Sequence, residues 1–200
     1  MKKSYHHGNL REAVLETAHK LIEAEGVKAI TLRRIAKEVG VSQNAPYSHF
    51  KDKAALLDAL AEDGFHGLRD SMKAISQSAT TPSEHLQAIG KGYVKYALSH
   101  PELFHLMFNL QQTETPTSTA FQEASSQSFQ IVLDAVANVQ KNEKPNDESS
   151  LIATISAWAI VHGLSVLLLS NNPKFETLNS EEIIDQSTAI FTAGLLNIKK

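Results

Sequence analysis

The chain has 200 residues, 42% of them hydrophobic and 20% charged, which is typical of a folded soluble protein and argues against disorder. It contains no cysteine, which excludes disulfides, thiolate metal sites and cysteine nucleophiles and fits a reducing cytoplasm. Residues 1–56 hold ten Lys and Arg against six Asp and Glu, whereas residues 57–200 hold nine against sixteen, for a net charge of −3. This asymmetry indicates an N-terminal part that contacts a polyanion, although uneven surface charge without function is the alternative.

The sequence of the N-terminal quarter predicts short helices with clear boundaries. A first helix begins near Asn9, which forms a capping-box spacing with the glutamate three residues later, and ends at Gly26. Thr31 is predicted to cap a second helix over Leu32–Val39, which Gly40 closes.

The remaining pattern is helical as well, and no clear strand alternation occurs. Ser42 is predicted to cap a third helix with Pro46 in its first turn, and Asp52 a fourth. The polar stretches at 141–147 and 171–179 are predicted loops. Longer helices are predicted over residues 83–99, 101–110, 118–139, 149–170 and 180–197.

The stretch from 149 to 173 carries no formal charge and is therefore compared with a membrane span. Polar or small residues interrupt it at Thr154, Ser156, His162, Gly163 and Ser165. Because a bilayer span is normally cleaner than this, we expect a helix buried within protein and no membrane contact.

The two short helices around Gly40 have the pattern of a helix-turn-helix. That motif needs a small residue in the turn, apolar residues that hold two helices at a steep angle, and exposed polar residues early in the second helix. The polar residues would be Gln43, Asn44 and Ser48. The packing residues would be Ile35, Ala36, Val39, Val41, Ala45 and Phe50.

Four segments are specific when they occur together: Thr31-Leu-Arg-Arg-Ile-Ala36, Val39-Gly-Val-Ser42, Tyr47-Ser-His-Phe50, and Lys53 followed by Leu56-Leu57. With them, the region from Tyr5 to Leu60 resembles the DNA-binding domain of the tetracycline-repressor (TetR) family. The resemblance implies an all-α protein with a three-helix helix-turn-helix DNA-binding domain at 1–66. It also implies a helical effector-binding and dimerisation domain at 67–200, and a cytoplasmic location.

The resemblance assigns DNA contacts residue by residue. Arg33 would reach a guanine, and the amides of Gln43 and Asn44 suit adenine edges. Phosphate contacts are implied for Tyr47, His49 and Lys53, assisted by the hydroxyls of Thr31 and Ser42.

Several alternatives to these DNA contacts stay open. Pro46 and Ser48 depart from the commonest family pattern, so Ser48 joins the candidate contacts and the base-reading set can be shifted by one residue. His49 could instead be a core histidine, and Arg34 a solvated surface residue. The pair His6-His7 fits a native lead-in to the first helix better than a metal site.

The C-terminal half resembles one subgroup of the family, chiefly through Trp158-Ala-Ile-Val-His-Gly163. The resemblance implies a dimer formed through the last two helices and a pocket for a small-molecule effector. The dimer faces would comprise Leu164, Leu167 and Leu168 on one helix, and Ile183, Ile184, Ile190, Phe191 and Leu195 on the other. The pocket would comprise Tyr93, Tyr96, Phe104, Met107, Phe108, Trp158 and His162. Each aromatic could instead be plain core, and His162 could bond a structural partner.

The sequence therefore predicts a sequence-specific transcriptional regulator. It would bind palindromic double-stranded DNA as a homodimer and act as a repressor released by a small-molecule effector. An architectural protein or an activator of the same fold, without an effector, is the alternative. No catalytic, metal-binding or cofactor-binding motif occurs, so we expect neither enzyme activity nor a cofactor.

Overall fold

The computed structural model describes residues 10–110, 117–141, 147–170, 172 and 179–197. These residues form eight α-helices and two short 3-10 helices and contain no strand, which confirms the all-α class. The α-helices are α1 (Leu10–Glu25), α2 (Leu32–Val39), α3 (Lys53–Ser76), α4 (Pro82–Ser99), α5 (Pro101–Leu110), α6 (Thr119–Gln140), α7 (Glu148–Leu169) and α8 (Ser180–Asn197). The 3-10 helices are Val27–Ala29 and Ala45–Ser48.

Side-chain hydrogen bonds cap the beginnings of α2 and α3. Thr31 Oγ1 accepts a hydrogen bond from the Arg34 N–H at 3.1 Å, and Asp52 Oδ1 accepts one from the Ala55 N–H at 2.8 Å. Each cap satisfies an N–H that has no partner within its helix, and both were predicted from the sequence. The predicted cap at Asn9 lies outside the described residues.

The end of α2 also follows the prediction. Gly40 lies in the left-handed region with φ 82°, and the Val41 N–H donates to the Ala36 carbonyl at 2.9 Å. Glycine adopts this φ without the steric cost that a Cβ brings, so the chain can reverse here.

The α-helix predicted from Ser42 is wrong in its start and its type. A turn follows Ser42, whose carbonyl accepts from the Ala45 N–H at 3.0 Å, and the 3-10 helix Ala45–Ser48 comes next. Pro46 explains the difference, because it has no N–H to donate to the Ser42 carbonyl four residues earlier. The tighter i to i−3 bonding continues with His49 N to Pro46 O at 3.0 Å.

The described residues divide into two compact units. One contains the residues up to Gly64 together with those of His100–Gln122, and the other contains Phe65–Ser99 and the residues from Glu123 onward. The predicted boundary after residue 66 lies in α3, near the point where the units divide that helix. However, α5 belongs to the first unit, so the units are not continuous in sequence. The functional boundary at 66 stays a prediction.

The first unit has a core that fixes α2 on α1. Apolar residues of α1 recur every three or four positions and meet the buried face of α2. The side chains with no exposed surface here include Val14, Ala18, Ile22, Ile35 and Ala36. Helix α2 is therefore held by packing, which leaves its opposite side for function.

Helix α7 is buried on one side only. Its inner face contains Ala153, Thr154, Ala157, Val161 and Ser165. It is the one described helix with the length and hydropathy to cross a membrane, with a mean hydropathy of 2.0 over 18 residues, of which 28% are buried. The described residues bury only part of this helix, so the expectation of a helix buried within protein stays a prediction for its other side.

Helices α7 and α8 also present exposed apolar side chains on their outer faces. These are Leu151, Ile152, Ile155, Ile160, Val166 and Leu167 on α7, and Ile190 and Leu196 on α8. Two residues predicted for the dimer face, Ile184 and Leu195, are only 1% and 6% exposed and belong to the core of the protomer. They face inward because α8 packs against α4 and α7 along that side.

Candidate functional site

A row of polar side chains is exposed between residues 31 and 53, where the sequence predicts DNA contacts. All nine predicted residues are exposed: Thr31, Arg33, Ser42, Gln43, Asn44, Tyr47, Ser48, His49 and Lys53. Between them, Pro46 and Phe50 are buried. The alternative of a core histidine at His49 is therefore wrong.

The buried residues Pro46 and Phe50 hold the second half of this surface in place. The Phe50 N–H donates to the Pro46 carbonyl at 3.0 Å, and the Arg11 guanidinium lies 5.7 Å from the centre of the Phe50 ring. Ser48 Oγ donates to the Ala45 carbonyl at 2.8 Å, which leaves its oxygen able to accept another bond. The side chains of the 3-10 helix are thus presented on a fixed base.

The residues suited to base reading are not engaged within the described part of the chain. Arg33 is exposed and makes no ion pair with a described residue. Asn44 precedes the 3-10 helix without a hydrogen bond from its side chain to that helix, and Gln43 is exposed beside it. These groups can each offer two hydrogen bonds in one plane, as a base edge requires.

Two neighbouring cations do have partners in the protein. The Arg34 guanidinium donates to both carboxylate oxygens of Glu25, at 2.8 and 2.6 Å, and these hydrogen bonds lower the pKa of Glu25. Lys53 Nζ donates to the Val27 carbonyl at 3.1 Å. Arg34 is therefore more than a solvated surface residue, and Lys53 is oriented by the turn between α1 and α2.

Sequence reasoning missed the roles of Arg11 and Glu25 in supporting this surface. Each contacts a residue of another element, Phe50 and Arg34 respectively, and no local spacing rule predicts such a contact. The one signal in the sequence is the adjacent Arg33 and Arg34, because two neighbouring positive charges favour a carboxylate nearby.

The residues predicted for the effector pocket are divided between the two units, and the pocket stays a prediction. The second unit contains Tyr93, Tyr96, Trp158 and His162, and the first contains Phe104, Met107 and Phe108. Phe104 is 1% exposed and its ring centre lies 4.9 Å from that of Phe108, while Met107 is fully buried. Phe104 and Met107 are therefore core side chains of the first unit, and Phe108 is half-buried beside Phe104.

Tyr93 is the centre of a polar network in the second unit. The indole N–H of Trp158 donates to the Tyr93 oxygen at 3.1 Å, and that oxygen lies 2.9 Å from His162 Nδ1. An indole nitrogen only donates, so the Tyr93 oxygen accepts that bond, whereas the direction of the bond to His162 Nδ1 depends on the tautomer of the histidine. Burial raises the pKa of Tyr93, so its hydroxyl stays protonated.

A small cavity lies beside this network, with a volume of about 30 Å³. Tyr93 and Trp158 line it together with Met72, Thr188 and Phe191, and no described residue at its wall is charged. A volume of this size holds about two water molecules and no organic molecule. Tyr96 does not reach it and packs instead against Gly67.

Exposed polar side chains lie at the start of α2 and, beyond the turn at Gly40, along the 3-10 helix Ala45–Ser48. This is the arrangement of a helix-turn-helix DNA-binding protein. Comparison with known families agrees. The model described as "Bacterial regulatory proteins, tetR family" matches residues 14–60, and "Tetracyclin repressor-like, C-terminal domain" matches residues 86–191. The chain belongs to the TetR family of bacterial transcriptional regulators, whose members are DNA-binding proteins rather than enzymes. The subgroup indicated by Trp158 and His162 stays a prediction.

Individual relatives cover different parts of the chain. The class C tetracycline repressor of Escherichia coli is 45% identical over 74 residues, which are 37% of this chain and only 30% of that protein. A helix-turn-helix transcriptional regulator of Staphylococcus aureus strain USA300 is 31% identical over 56% of this chain and 72% of its own length. A solved structure of a protein of unknown function from Rhodococcus sp. RHA1 has a TM-score of 0.86 and 30% identity, covering 98% of this chain and 100% of that one.

Proposed function

We propose that this chain is a cytoplasmic, homodimeric repressor that binds palindromic double-stranded DNA and is released by a small, uncharged effector. The observation that carries the DNA-binding part is the exposure of all nine candidate contacts around the buried Pro46 and Phe50. A helix-turn-helix of this kind enters the major groove as one unit, which would bring these exposed side chains to the base edges and the flanking phosphates.

The chemistry of the side chains divides them into two roles. Arg33 donates to O6 and N7 of a guanine, and Gln43 and Asn44 pair with adenine edges, so these residues read sequence. Lys53 has three donors and uses one on the Val27 carbonyl, which leaves others for phosphate. Tyr47, His49, Thr31, Ser42 and Ser48 add contacts to the DNA backbone that set position rather than sequence.

In-vitro selection of duplex DNA by the full-length protein tests this function. We expect the selected sequences to share a palindrome whose half-sites lie about one helical turn apart or slightly more. Selected DNA without a symmetric consensus would contradict both the homodimer and the repressor.

Arg33 and Lys53 should respond differently to replacement by alanine. Arg33→Ala removes a base contact, so it should relax preference at one position and cost about 1–3 kcal/mol on the selected DNA. Lys53→Ala should weaken binding to selected and random DNA alike, and it should reduce the salt dependence of binding by about one ion per subunit. Binding titrations at several salt concentrations measure both, with Lys73→Ala, an exposed lysine outside the contact segment, as control. Equal losses on all sequences for Arg33→Ala would make it a phosphate contact.

The effector part of the proposal is supported by the network and cavity of the second unit. The cavity wall contains apolar side chains, tyrosine, tryptophan and threonine, and this composition suits an uncharged and largely apolar molecule. Because the present volume is too small, such a molecule must bind a conformation in which the cavity is enlarged. It weakens DNA binding only to the extent that it prefers this conformation over the one that binds DNA.

Trp158 provides a direct measure of effector binding because it is the only tryptophan. An uncharged compound that enters the cavity should change its fluorescence, since its N–H bond to Tyr93 lies at the cavity wall. Indole, phenol and short aliphatic alcohols are suitable probes. The compound should lower the affinity for DNA by the same factor by which DNA lowers the affinity for the compound. A hundredfold factor corresponds to about 2.7 kcal/mol. A changed emission with unchanged DNA affinity would contradict the coupling.

A regulator of the same fold without an effector is the second candidate, and the small cavity favours it. In that case, no compound of the probe series should change both Trp158 emission and DNA affinity. The palindromic selection would be unaffected, so the two candidates separate on the fluorescence experiment alone.

A further inference from the structure

The last residue of α1 and the third residue of α2 form a geometrically defined ion pair. Arg34 Nη1 donates to Glu25 Oε2 at 2.8 Å and Nη2 to Oε1 at 2.6 Å. A planar guanidinium that meets a carboxylate with two parallel bonds fixes orientation as well as distance. The pair therefore constrains the angle between the two helices and not only their separation.

The segment between the two helices gives this pair a clear mechanical role. Gly26, with φ 78°, and the 3-10 helix Val27–Ala29 turn the chain, and Lys53 Nζ binds the Val27 carbonyl. The backbone of Arg34 is fixed as well, because its N–H donates to Thr31 Oγ1. Both the side chain and the main chain of Arg34 thus hold the first turn of α2, which contains the exposed Arg33.

Arg34 differs from its neighbour Arg33 because a carboxylate compensates its charge. Hydrogen bonding to Glu25 raises the pKa of Arg34, and the carboxylate of Glu38, one turn further along α2, adds to this effect. A phosphate would have to displace Glu25 before it could bind the guanidinium. The Arg34 and Glu25 side chains are 35% and 48% exposed, so the pair adds little to overall stability and its consequence is orientation.

We propose that Glu25 and Arg34 form a positioning pair for DNA recognition, which orients the first turn of α2 so that Arg33 meets its base. Arg34 itself does not contact DNA phosphate. This inference rests on the proposed DNA-binding function and adds two residues that act through Arg33.

The variants Glu25→Gln, Arg34→Gln and the double variant of the full-length protein test it, each titrated with the selected palindrome. Both single variants should weaken binding about fivefold, and the double variant should weaken it by the same factor, because either change breaks the whole pair. The salt dependence of binding should stay that of the wild type, since no phosphate contact is lost. Discrimination should fall only at the base read by Arg33, which a general loss of stability would not produce.

The contrary results are equally specific. A smaller salt dependence for Arg34→Gln, or tighter binding for Glu25→Gln, would identify Arg34 as a phosphate contact that Glu25 restrains. Additive losses in the double variant, or unchanged affinity in Glu25→Gln, would remove the pairing role. Thermal unfolding checks that the variants fold, and Arg34→Lys, which keeps the charge but loses the fork, replaces Arg34→Gln if that variant does not. If the wild type selects no DNA, the proposed function and this inference fail together, whereas selected DNA that the variants bind like the wild type overturns this inference alone.

Discussion

Alanine in place of Gly92 should lower the stability of the protein more than any other single-methyl change considered in this structure. A Cβ at this position would lie 2.7 Å from Met72 Cα and 2.9 Å from the Ser71 carbonyl oxygen, both in the backbone of α3. Helix α4 would have to move away from α3, and the bond from Ser71 Oγ to the Gly92 carbonyl, now 2.9 Å, would be lost. Overpacking of this kind costs about 1–3 kcal/mol, and backbone contacts lie at the upper end.

Thermal unfolding at one protein concentration measures this effect, and Gly64→Ala is the matched control. Both glycines lie inside α-helices, so alanine gains the same helix propensity of about 1 kcal/mol at each. At Gly64 the nearest atom is Met107 Sδ at 2.6 Å, which a flexible side chain can move away. The gain in helix propensity offsets part of the overpacking cost, so we expect the midpoint to fall by about 2–8 °C for Gly92→Ala and by less for Gly64→Ala. Equal midpoints would show that α3 and α4 can separate freely.

The close approach at Gly92 illustrates what the sequence does not reveal. Helix positions follow from hydrophobic spacing and caps, which are local, and the predicted long helices agree with the observed ones to within a residue. Whether a glycine meets another backbone depends on a helix about twenty residues away, and nothing near Gly92 distinguishes it from a tolerated helical glycine.

In the DNA-binding segment as well, local features were predicted and contacts between helices were not. The exposure of its polar residues agrees with the predicted packing through Ile35, Ala36 and Phe50, which are buried, whereas the burial of Pro46 was not predicted. The 3-10 form was not predicted, although Pro46 removes the N–H that an α-helix from Ser42 would need. The Glu25–Arg34 pair joins residues of different helices, and only the packing of α1 against α2 brings them together.

The predicted effector pocket was drawn from family resemblance and aromatic clustering. Phe104, Met107 and Phe108 belong to the first unit and Tyr93 to the second, a division that aromatic clustering in the sequence did not indicate. The spacing of Trp158 and His162 did predict their contact, because residues four apart share a helix face and their ring centres lie 6.1 Å apart.

Ile190→Glu should abolish dimerisation and, with it, tight binding to palindromic DNA. Ile190 is 72% exposed in the protomer and lies beside Ile152 of α7 at a groove that also contains Phe191. Exposed apolar side chains on two adjacent helices are typical of a surface that a partner covers. The proposed cover is the same face of a second copy, because a two-fold axis lets one self-complementary surface serve both subunits.

The expected loss follows from the number of charges buried. A two-fold interface receives the new carboxylate twice, and each unpaired buried charge costs several kcal/mol, so the dissociation constant should rise at least about a thousandfold. Sedimentation should give a dimer for the wild type and a monomer for Ile190→Glu at micromolar concentration, and far-ultraviolet dichroism should show that both are folded. Ser126→Glu, which adds the same charge to an exposed position on α6, should remain dimeric. Selected DNA should bind the monomer only as isolated half-sites, with the salt dependence halved, because each subunit then releases its own counterions alone. A wild-type monomer would contradict the proposed homodimer, and an Ile190→Glu dimer of unchanged affinity would place the interface elsewhere and leave the apolar face of α7 for another partner.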